Sequence, residues 1–480
     1  MVGITSCGAY VPWLRMNRKI IGSAMGWFGT VPLPGEKAVA NYDEDSITMA
    51  VASGIDCLSD LGREGIGGLY FATTTSPYKE RQDAGLISLA LDLETDIRTA
   101  DFTDSTKAGT TALLSACEAV RAGAIGNLLV CAADRRLGRA GGAQEQAFGD
   151  GAAAFLIGEK NVAASLEGSY SLSHDFMGHW RAENDKFDRT WEDRFIRDVG
   201  YTKFIPQAIS GLVNKYNLNI KDFAKIIYPC LYAREYQAIA KAIGAIPEQI
   251  QEEMLSTVGD TGTAYPLMML VAAIESAKPD DKILVVSYGN GSDALFFQVT
   301  DNIEKMRSNK GIKKYLASKQ ELNSYEKYLS FRDRLPTEKG IRGEEITFTQ
   351  ISTLWRERKS ILALCGAKCK RCGTPQYPYQ RVCVNPKCGA IDEMEYYRFS
   401  DKTAKLFTYT ADNLAFSPSP PAIYGLIDFD GGGRNWSDLT DCDLESVKVG
   451  MSLKMTFRRK YLDEARGHSG YFWKATPRLA

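Results

Sequence analysis

The feature that most limits how this chain can fold is an internal repeat with a spacing of about 150 residues. Its first copy runs Thr103-Asp-Ser-Thr-Lys-Ala-Gly-Thr110, a small-residue helix predicted over 111–122, an apolar strand from Leu128 to Ala133, and Gly149-Asp-Gly-Ala-Ala-Ala-Phe-Leu-Ile-Gly158. The second runs Thr257-Val-Gly-Asp-Thr-Gly-Thr263, a helix predicted over 265–277, a strand Ile283-Leu-Val-Val-Ser-Tyr288, and Gly289-Asn-Gly-Ser-Asp-Ala-Leu-Phe-Phe297. Gly109-Thr110 and Gly262-Thr263 fall at matching places. A duplicated unit of strand, loop, helix and strand predicts two similar α/β halves packed together. The two helices carry Ala, Leu and Met on nearly all sides, which predicts burial between sheets. The short, fully apolar strands agree, as strands covered on both faces. Between the halves, residues 171–202 are polar and aromatic, with His174, His179, Trp180 and Trp191, and are expected as an insertion overhanging a pocket.

The second strong signal is four cysteines spaced Cys369-x2-Cys372 and Cys383-x4-Cys388. Two close pairs of thiolates suit one tetrahedral zinc, so the stretch reads as a zinc ribbon. Gly373 and Gly389 each follow the second cysteine of a pair, where a tight turn needs positive φ. Four thiolates leave no open position for a catalytic water, so this metal is expected to be structural. The other seven of the 11 cysteines, Cys230 among them, are expected as reduced thiols.

At 480 residues the chain is too long for one ordinary core. The expected division is two halves over 1–165 and 166–300, a charged helical linker over 301–345, a helix plus the ribbon over 346–395, and a small β-barrel over 396–480. The helix is expected to be amphipathic, running from Ile346 to Leu364. The barrel rests on the alternating segments Lys405 to Thr410, Ala422 to Phe429, Ser452 to Phe457 and Gly470 to Ala475, separated by Pro and Gly turns. A net charge of −1 argues against a nucleic-acid partner, leaving Arg458-Arg459-Lys460 as at most a phosphate contact. No apolar run reaches about 18 residues, which predicts no membrane span, and no leader is evident, so the expected location is the cytoplasm.

These residues carry a family likeness. The Val2-Gly-Ile opening, Ala108-Gly-Thr, Gly149-Asp-Gly-Ala-Ala and the run from Ala277 to Gly289 resemble the thiolase superfamily, in the 3-hydroxy-3-methylglutaryl-CoA synthase and β-ketoacyl synthase III branch. The last 120 or so residues resemble the zinc-ribbon plus OB-fold proteins that accompany such enzymes. The resemblance implies an α/β fold with a duplicated αβαβα layered core, a coenzyme A thioester as substrate or ligand, and a homodimeric core joined by a thiolase or aldolase partner subunit.

It also implies a site whose usual groups are replaced. Thr106 stands where the family has its nucleophilic Cys, Pro229 at or beside the place of the His, and Thr74 at the place of the Glu. Asp260 stands where an Asn often closes the pocket. Cys230 is the one thiol placed to reach that pocket, or it is core. Asp260 is read either as a base or as the cap of the helix beginning near Thr263. Arg234 and Lys107 are candidate CoA contacts, Lys107 alternatively a solvated charge, and packing or surface roles are expected for His174 and His179.

Two functions are consistent with this. The chain is either a subunit that handles acyl-CoA for a partner while its own synthase site is degenerate, or an enzyme running Claisen or retro-aldol chemistry in a rearranged pocket. The second needs an oxyanion hole, expected from backbone amides at the start of the Lys107 helix, and a base, expected from Asp260, Tyr78 or Tyr232.

Overall fold

The structure is a computed structural model that describes residues 1–306, 311–344 and 347–478, with the side chain of Arg342 excepted. Two compact units emerge. The first comprises Met1–Asn41, Asp45–Ile87 and Glu94–Tyr328; the second comprises Tyr42–Glu44, Ser88–Leu93 and the chain from Leu329 onward.

The first unit is built on strands β1 (Gly3–Tyr10), β2 (Ile66–Ala72), β3 (Arg98–Phe102), β4 (Asn127–Asp134), β5 (Gly151–Gly158), β6 (Ala164–Ser173), β7 (Lys225–Ile227), β8 (Lys282–Val286) and β9 (Gly291–Val299). Among the described residues they form one sheet in the order β7-β8-β9-β6-β1-β5-β4-β2-β3. The duplication is written in that order. Outward from the junction of β1 and β6, where Gly3 pairs Ser165 and Ile4 pairs Ala164, one half runs β1, β5, β4, β2 and the other β6, β9, β8, β7. In each half the first strand is followed in space by the last, then the penultimate, then the second.

Three helices frame the site: α1 (Ala108–Arg121), α2 (Ala233–Ile243) and α3 (Tyr265–Ser276). Helix α1 begins at Ala108, a few residues before the expected start, while α3 lies where its apolar run predicted. Nine of the residues of α3, from Tyr265 through Val271 with Ala273 and Ile274, are buried, as expected of a helix that is apolar all round. At Gly109 a Cβ would lie 2.3 Å from the Thr263 carbonyl oxygen, so this close approach requires glycine.

The segment read from sequence as a linker packs into the first unit as far as Tyr328. Gln320 pairs in parallel with Leu14, and the buried Tyr325 donates its hydroxyl to Glu145 at 3.0 Å. The expected 346–364 helix is two short helices, Ile351–Arg356 and Arg358–Leu362, and its expected first residue, Ile346, lies outside the described residues. The break has a physical cause. Ile351 and Trp355 are exposed while Leu362 and Leu364 are buried, so one apolar stripe does not continue across both pieces, and Leu364 sits at φ +50 beyond the helix.

In the second unit, β10 (Cys365–Cys369), β11 (Pro375–Gln376) and β12 (Met394–Arg398) make the three-stranded ribbon, ordered β11-β10-β12. Strands β13 (Ala404–Asp412), β14 (Ala422–Phe429), β15 (Arg434–Asp438), β16 (Ser452–Asp463) and β17 (His468–Pro477) make the barrel, ordered β15-β14-β13-β16-β17. A bridge between Leu439 and Ala475 brings the β15 end back to β17. Strand β15, Arg-Asn-Trp-Ser-Asp, has no apolar alternation, and the sequence reading did not single it out.

Candidate functional site at the head of the buried helix

Thr106 and Lys107 lead into α1. The Thr106 hydroxyl donates to the Tyr288 carbonyl at 2.7 Å, and the Ser105 hydroxyl donates to the Gly289 carbonyl at 2.8 Å. Gly289 is required here, since a Cβ would come within 2.5 Å of Thr106 Oγ1 and 2.6 Å of Ser105 Oγ. Behind this contact, buried Asp293 gathers the helix start. Its Oδ1 lies 3.1 Å from Lys107 Nζ, and its Oδ2 accepts the hydroxyls of Thr110 and Thr111 at 3.1 and 2.9 Å.

Lys107 is therefore half of a largely buried ion pair and not a solvated charge. The amides expected to form an oxyanion hole are also engaged, Lys107 N with Ser105 Oγ at 3.3 Å and Ala108 N with the Ser105 carbonyl at 2.9 Å.

Thr74 is held the same way. The fully buried Asp134, last residue of β4, accepts at Oδ1 the Thr73 and Thr75 hydroxyls, each at 2.9 Å, and the amide and hydroxyl of Thr74 at 2.6 and 3.1 Å. Its Oδ2 accepts the Thr263 amide and hydroxyl at 2.8 and 3.0 Å. Even with these donors, burial holds the carboxyl above its ordinary pKa. Asp134 thus ties the Thr73–Thr75 turn to the approach to α3.

Asp260 is buried, and both its oxygens are taken. Oδ2 receives Arg136 Nη1 at 2.7 Å and Oδ1 receives the Gly262 amide at 3.0 Å. The bond to Gly262 is a local turn two residues on and not the expected helix cap, since the helical turn Gly262–Ala264 has Thr261 at its N-cap position and no side-chain cap. Arg136 also contacts Asp188 at 2.8 Å and lies over the Phe148 ring at 3.9 Å. Arg181 completes the group at 3.1 Å from Asp188. His179 is half-buried beside it, and burial, reinforced by Arg136, pulls its imidazole down to about 4. It is neutral at pH 7. His174 stacks on Phe204 at 4.3 Å, the packing role expected.

Cys230 is buried, its thiol directed to the Tyr232 carbonyl at 3.4 Å, and burial pushes it up to about 12. It is a protonated core thiol, not a nucleophile in waiting. Arg234 is exposed in the first turn of α2. Sequence reasoning missed Asp134, Arg136, Asp188, Asp293, Tyr201 and Tyr288. The one signal available was an acid ending an otherwise apolar strand at Asp134.

In the ribbon, the four sulfurs of Cys369, Cys372, Cys383 and Cys388 all lie within 4.8 Å of one another, with Cys369 to Cys388 at 3.8 Å and Cys372 to Cys383 at 3.5 Å. A tetrahedral zinc with thiolates at about 2.3 Å spaces them by about 3.8 Å, so the set fits that ion. Gly373 and Gly389 take φ of 74 and 55 as their turns require. In the barrel, Arg458 is buried against Asp43 at 3.4 Å, Glu44 at 2.7 Å and Asp441, and Lys474 lies 2.8 Å from Asp43. The phosphate contact suggested for the Arg458 cluster is thus closed to Arg458. No helix among the described residues is long and apolar enough to cross a membrane.

The arrangement defines a class: a duplicated α/β core with a candidate site at the head of α1, followed by a cysteine-clustered ribbon and a small barrel. The chain is 33% identical over 315 residues to the hydroxymethylglutaryl-CoA synthase of Methanopyrus kandleri, covering 64% of this chain and 90% of that protein. It is 34% identical over 313 residues to that of Thermococcus sibiricus, covering 64% and 89%. A crystal structure of HMG-CoA synthase complexed with CoA superposes with a TM-score of 0.62 at 18% identity, over 73% of this chain and 95% of that one. The 3-oxoacyl-[acyl-carrier-protein] synthase III of Aquifex aeolicus follows at 0.55 and 18%, over 62% and 100%. Residues 397–458 match the family described as "ChsH2, C-terminal OB-fold domain". The chain belongs to the hydroxymethylglutaryl-CoA synthase family, on a thiolase-like fold, and carries an OB-fold domain at its C-terminal end.

Proposed function

We propose that this chain is an acyl-CoA-handling subunit of an assembly that forms or cleaves carbon–carbon bonds, its thiolase-fold half no longer running the covalent synthase reaction. One observation carries this. At the place of the family's nucleophile stands Thr106, and its hydroxyl is donated to the Tyr288 carbonyl at 2.7 Å. An unactivated hydroxyl needs a neighbouring base to attack a thioester. Elsewhere in the first unit, Cys230 is held protonated by burial and the imidazole of His179 is a weak base.

In this reading the four cysteines hold a structural zinc, and the ribbon and barrel serve CoA and partner binding. The core is a homodimer and the partner a thiolase or aldolase. Arg234, exposed at the head of α2, is the residue offered to the CoA phosphates.

The test is to incubate the isolated chain with acetyl-CoA and acetoacetyl-CoA and follow both turnover and intact mass. No turnover and no acyl adduct are expected, with activity appearing when a co-purifying thiolase is added. Full turnover by the chain alone would overturn the proposal. It would favour the second reading, an acyl-CoA Claisen or retro-aldol enzyme in its own right, to which the 33% identity with archaeal synthases lends weight. For that reading, Thr106→Val and Asp260→Asn, measured separately, must each change the rate.

A further inference from the structure

Between the end of β6 and the helix Ile205–Lys215, the chain sets out a ladder of aromatic rings. Outermost, Trp191 (44% exposed) and Phe195 (48% exposed) stack at 5.6 Å with planes 30° apart. Trp191 meets Phe176 edge-on at 6.0 Å, and Phe176 lies against Gly200, where a Cβ would sit 3.3 Å from its ring. The next step inward is Tyr288, whose hydroxyl is covered by Gly178 and Gly200, with built Cβ positions 2.8 and 2.3 Å away. Tyr288 packs on Tyr201 at 4.4 Å, and Tyr201 meets Tyr232 at 5.9 Å. The inner end is the site itself, since the Tyr288 carbonyl holds the Thr106 hydroxyl.

Three observations separate this ladder from ordinary core. Its outer pair is left nearly half exposed. The segment Ile196–Phe204 that supplies Gly200 and Tyr201 is a nine-residue π-helix, a conformation found mostly as short bulges and often at functional sites. The Tyr288 hydroxyl is buried without a hydrogen-bond partner, so the ring is held there by its aromatic neighbours and not by a polar anchor.

We infer that the acyl group handled by this chain carries an aromatic ring, and that the ladder from Trp191 and Phe195 inward to Tyr288 is the wall it binds against. This rests on the acyl-CoA reading above. An acetyl group has no surface to lay on Trp191 and Phe176, whereas an aryl ring gains offset and edge contacts with both.

The experiment is titration calorimetry of the full chain with benzoyl-CoA, octanoyl-CoA and acetyl-CoA. Benzoyl-CoA is expected to bind about tenfold more tightly than the other two. Trp191→Ala should remove most of that advantage while leaving acetyl-CoA unchanged, and Trp191→Phe should keep most of it. Octanoyl-CoA binding as tightly as benzoyl-CoA would overturn the inference by making the wall merely apolar. Equal binding of benzoyl-CoA and acetyl-CoA would overturn it while leaving the acyl-CoA reading intact. Binding of none of the three would remove that reading and this inference together.

Discussion

Thr106 and Tyr288 are 182 residues apart in sequence, yet the Thr106 hydroxyl donates to the Tyr288 main-chain carbonyl at 2.7 Å and closes the head of α1 against the loop leading to β9. With the Ser105 hydroxyl on the Gly289 carbonyl and Lys107 on Asp293, this contact joins the two copies of the repeat at the head of α1. It gives the threonine a structural task that a cysteine, a weak donor, performs poorly.

On the proposed function, replacing Thr106 by Cys is expected to leave the isolated chain without turnover on acetyl-CoA, because a thiol there would still need a neighbouring base. Thr106→Val should cost about 1 kcal/mol of stability through the lost hydrogen bond. Acyl-transfer assays and chemical denaturation, run on both variants, check the pair.

Asp134 receives donors from Thr73, Thr74, Thr75 and Thr263 while fully buried. Asp134→Ala leaves those groups without their acceptor and is expected to destabilise the first unit by roughly 3 kcal/mol or more. A denaturation midpoint within experimental error of the parent chain would refute the role given to this carboxylate.

Asp83 is buried, its Oδ2 accepting the Ser76 hydroxyl at 2.7 Å, while its own amide and that of Ala84 donate to Asp101, each at 2.8 Å. Burial, opposed by Ser76 and reinforced by Asp101, pushes its pKa up to about 7. An unfolded aspartate titrates near 3.9. The folded state therefore holds this proton more tightly, so the stability it contributes is fully present below about pH 4 and is lost as pH rises to about 7. Asp83→Asn should flatten that part of a plot of Tm against pH; an unchanged slope in the variant would remove Asp83 as its source.

Arg458 is enclosed by Asp43, Glu44 and Asp441 with about 1% of its side chain exposed. Burial alone would raise the Asp43 pKa, but Lys474 and Arg458 more than reverse this and hold it low. Arg458→Ala strands those carboxylates and is expected to cost roughly 3–5 kcal/mol. The loss should appear as a lowered transition of the second unit in calorimetry.

Cys383→Ser, or prolonged chelation, is expected to abolish stoichiometric zinc and unfold the ribbon, because a site built from four thiolates draws its folding free energy from the metal. Metal analysis together with limited proteolysis across residues 365–398 reads both effects. A ribbon that resists protease without zinc would show that the cysteine cluster is not its organising centre.

Much of the architecture was legible from local pattern. The duplication, the all-apolar helix α3, the cysteine spacing and the alternating barrel segments each depend on residues close together in the chain, where periodicity and turn chemistry act, whereas α1 leaves Glu118 and Arg121 exposed and is buried on one side. The strand order of the sheet then repeats the order of the sequence copies. What local pattern could not decide was where each polar side chain ends up. Lys107 and Arg458 look like solvated cations in sequence, yet their carboxylate partners Asp293 and Asp43 lie 186 and 415 residues away. Asp260 looks like a free base until Arg136, 124 residues distant, is brought against it. The sequence by itself determined most of the elements, their duplication and the spacing of the four clustered cysteines. Only the tertiary structure decided that Thr106, Thr74 and Asp260 are held by hydrogen bonds and ion pairs, because burial compels each polar group to find a partner and those partners are long-range.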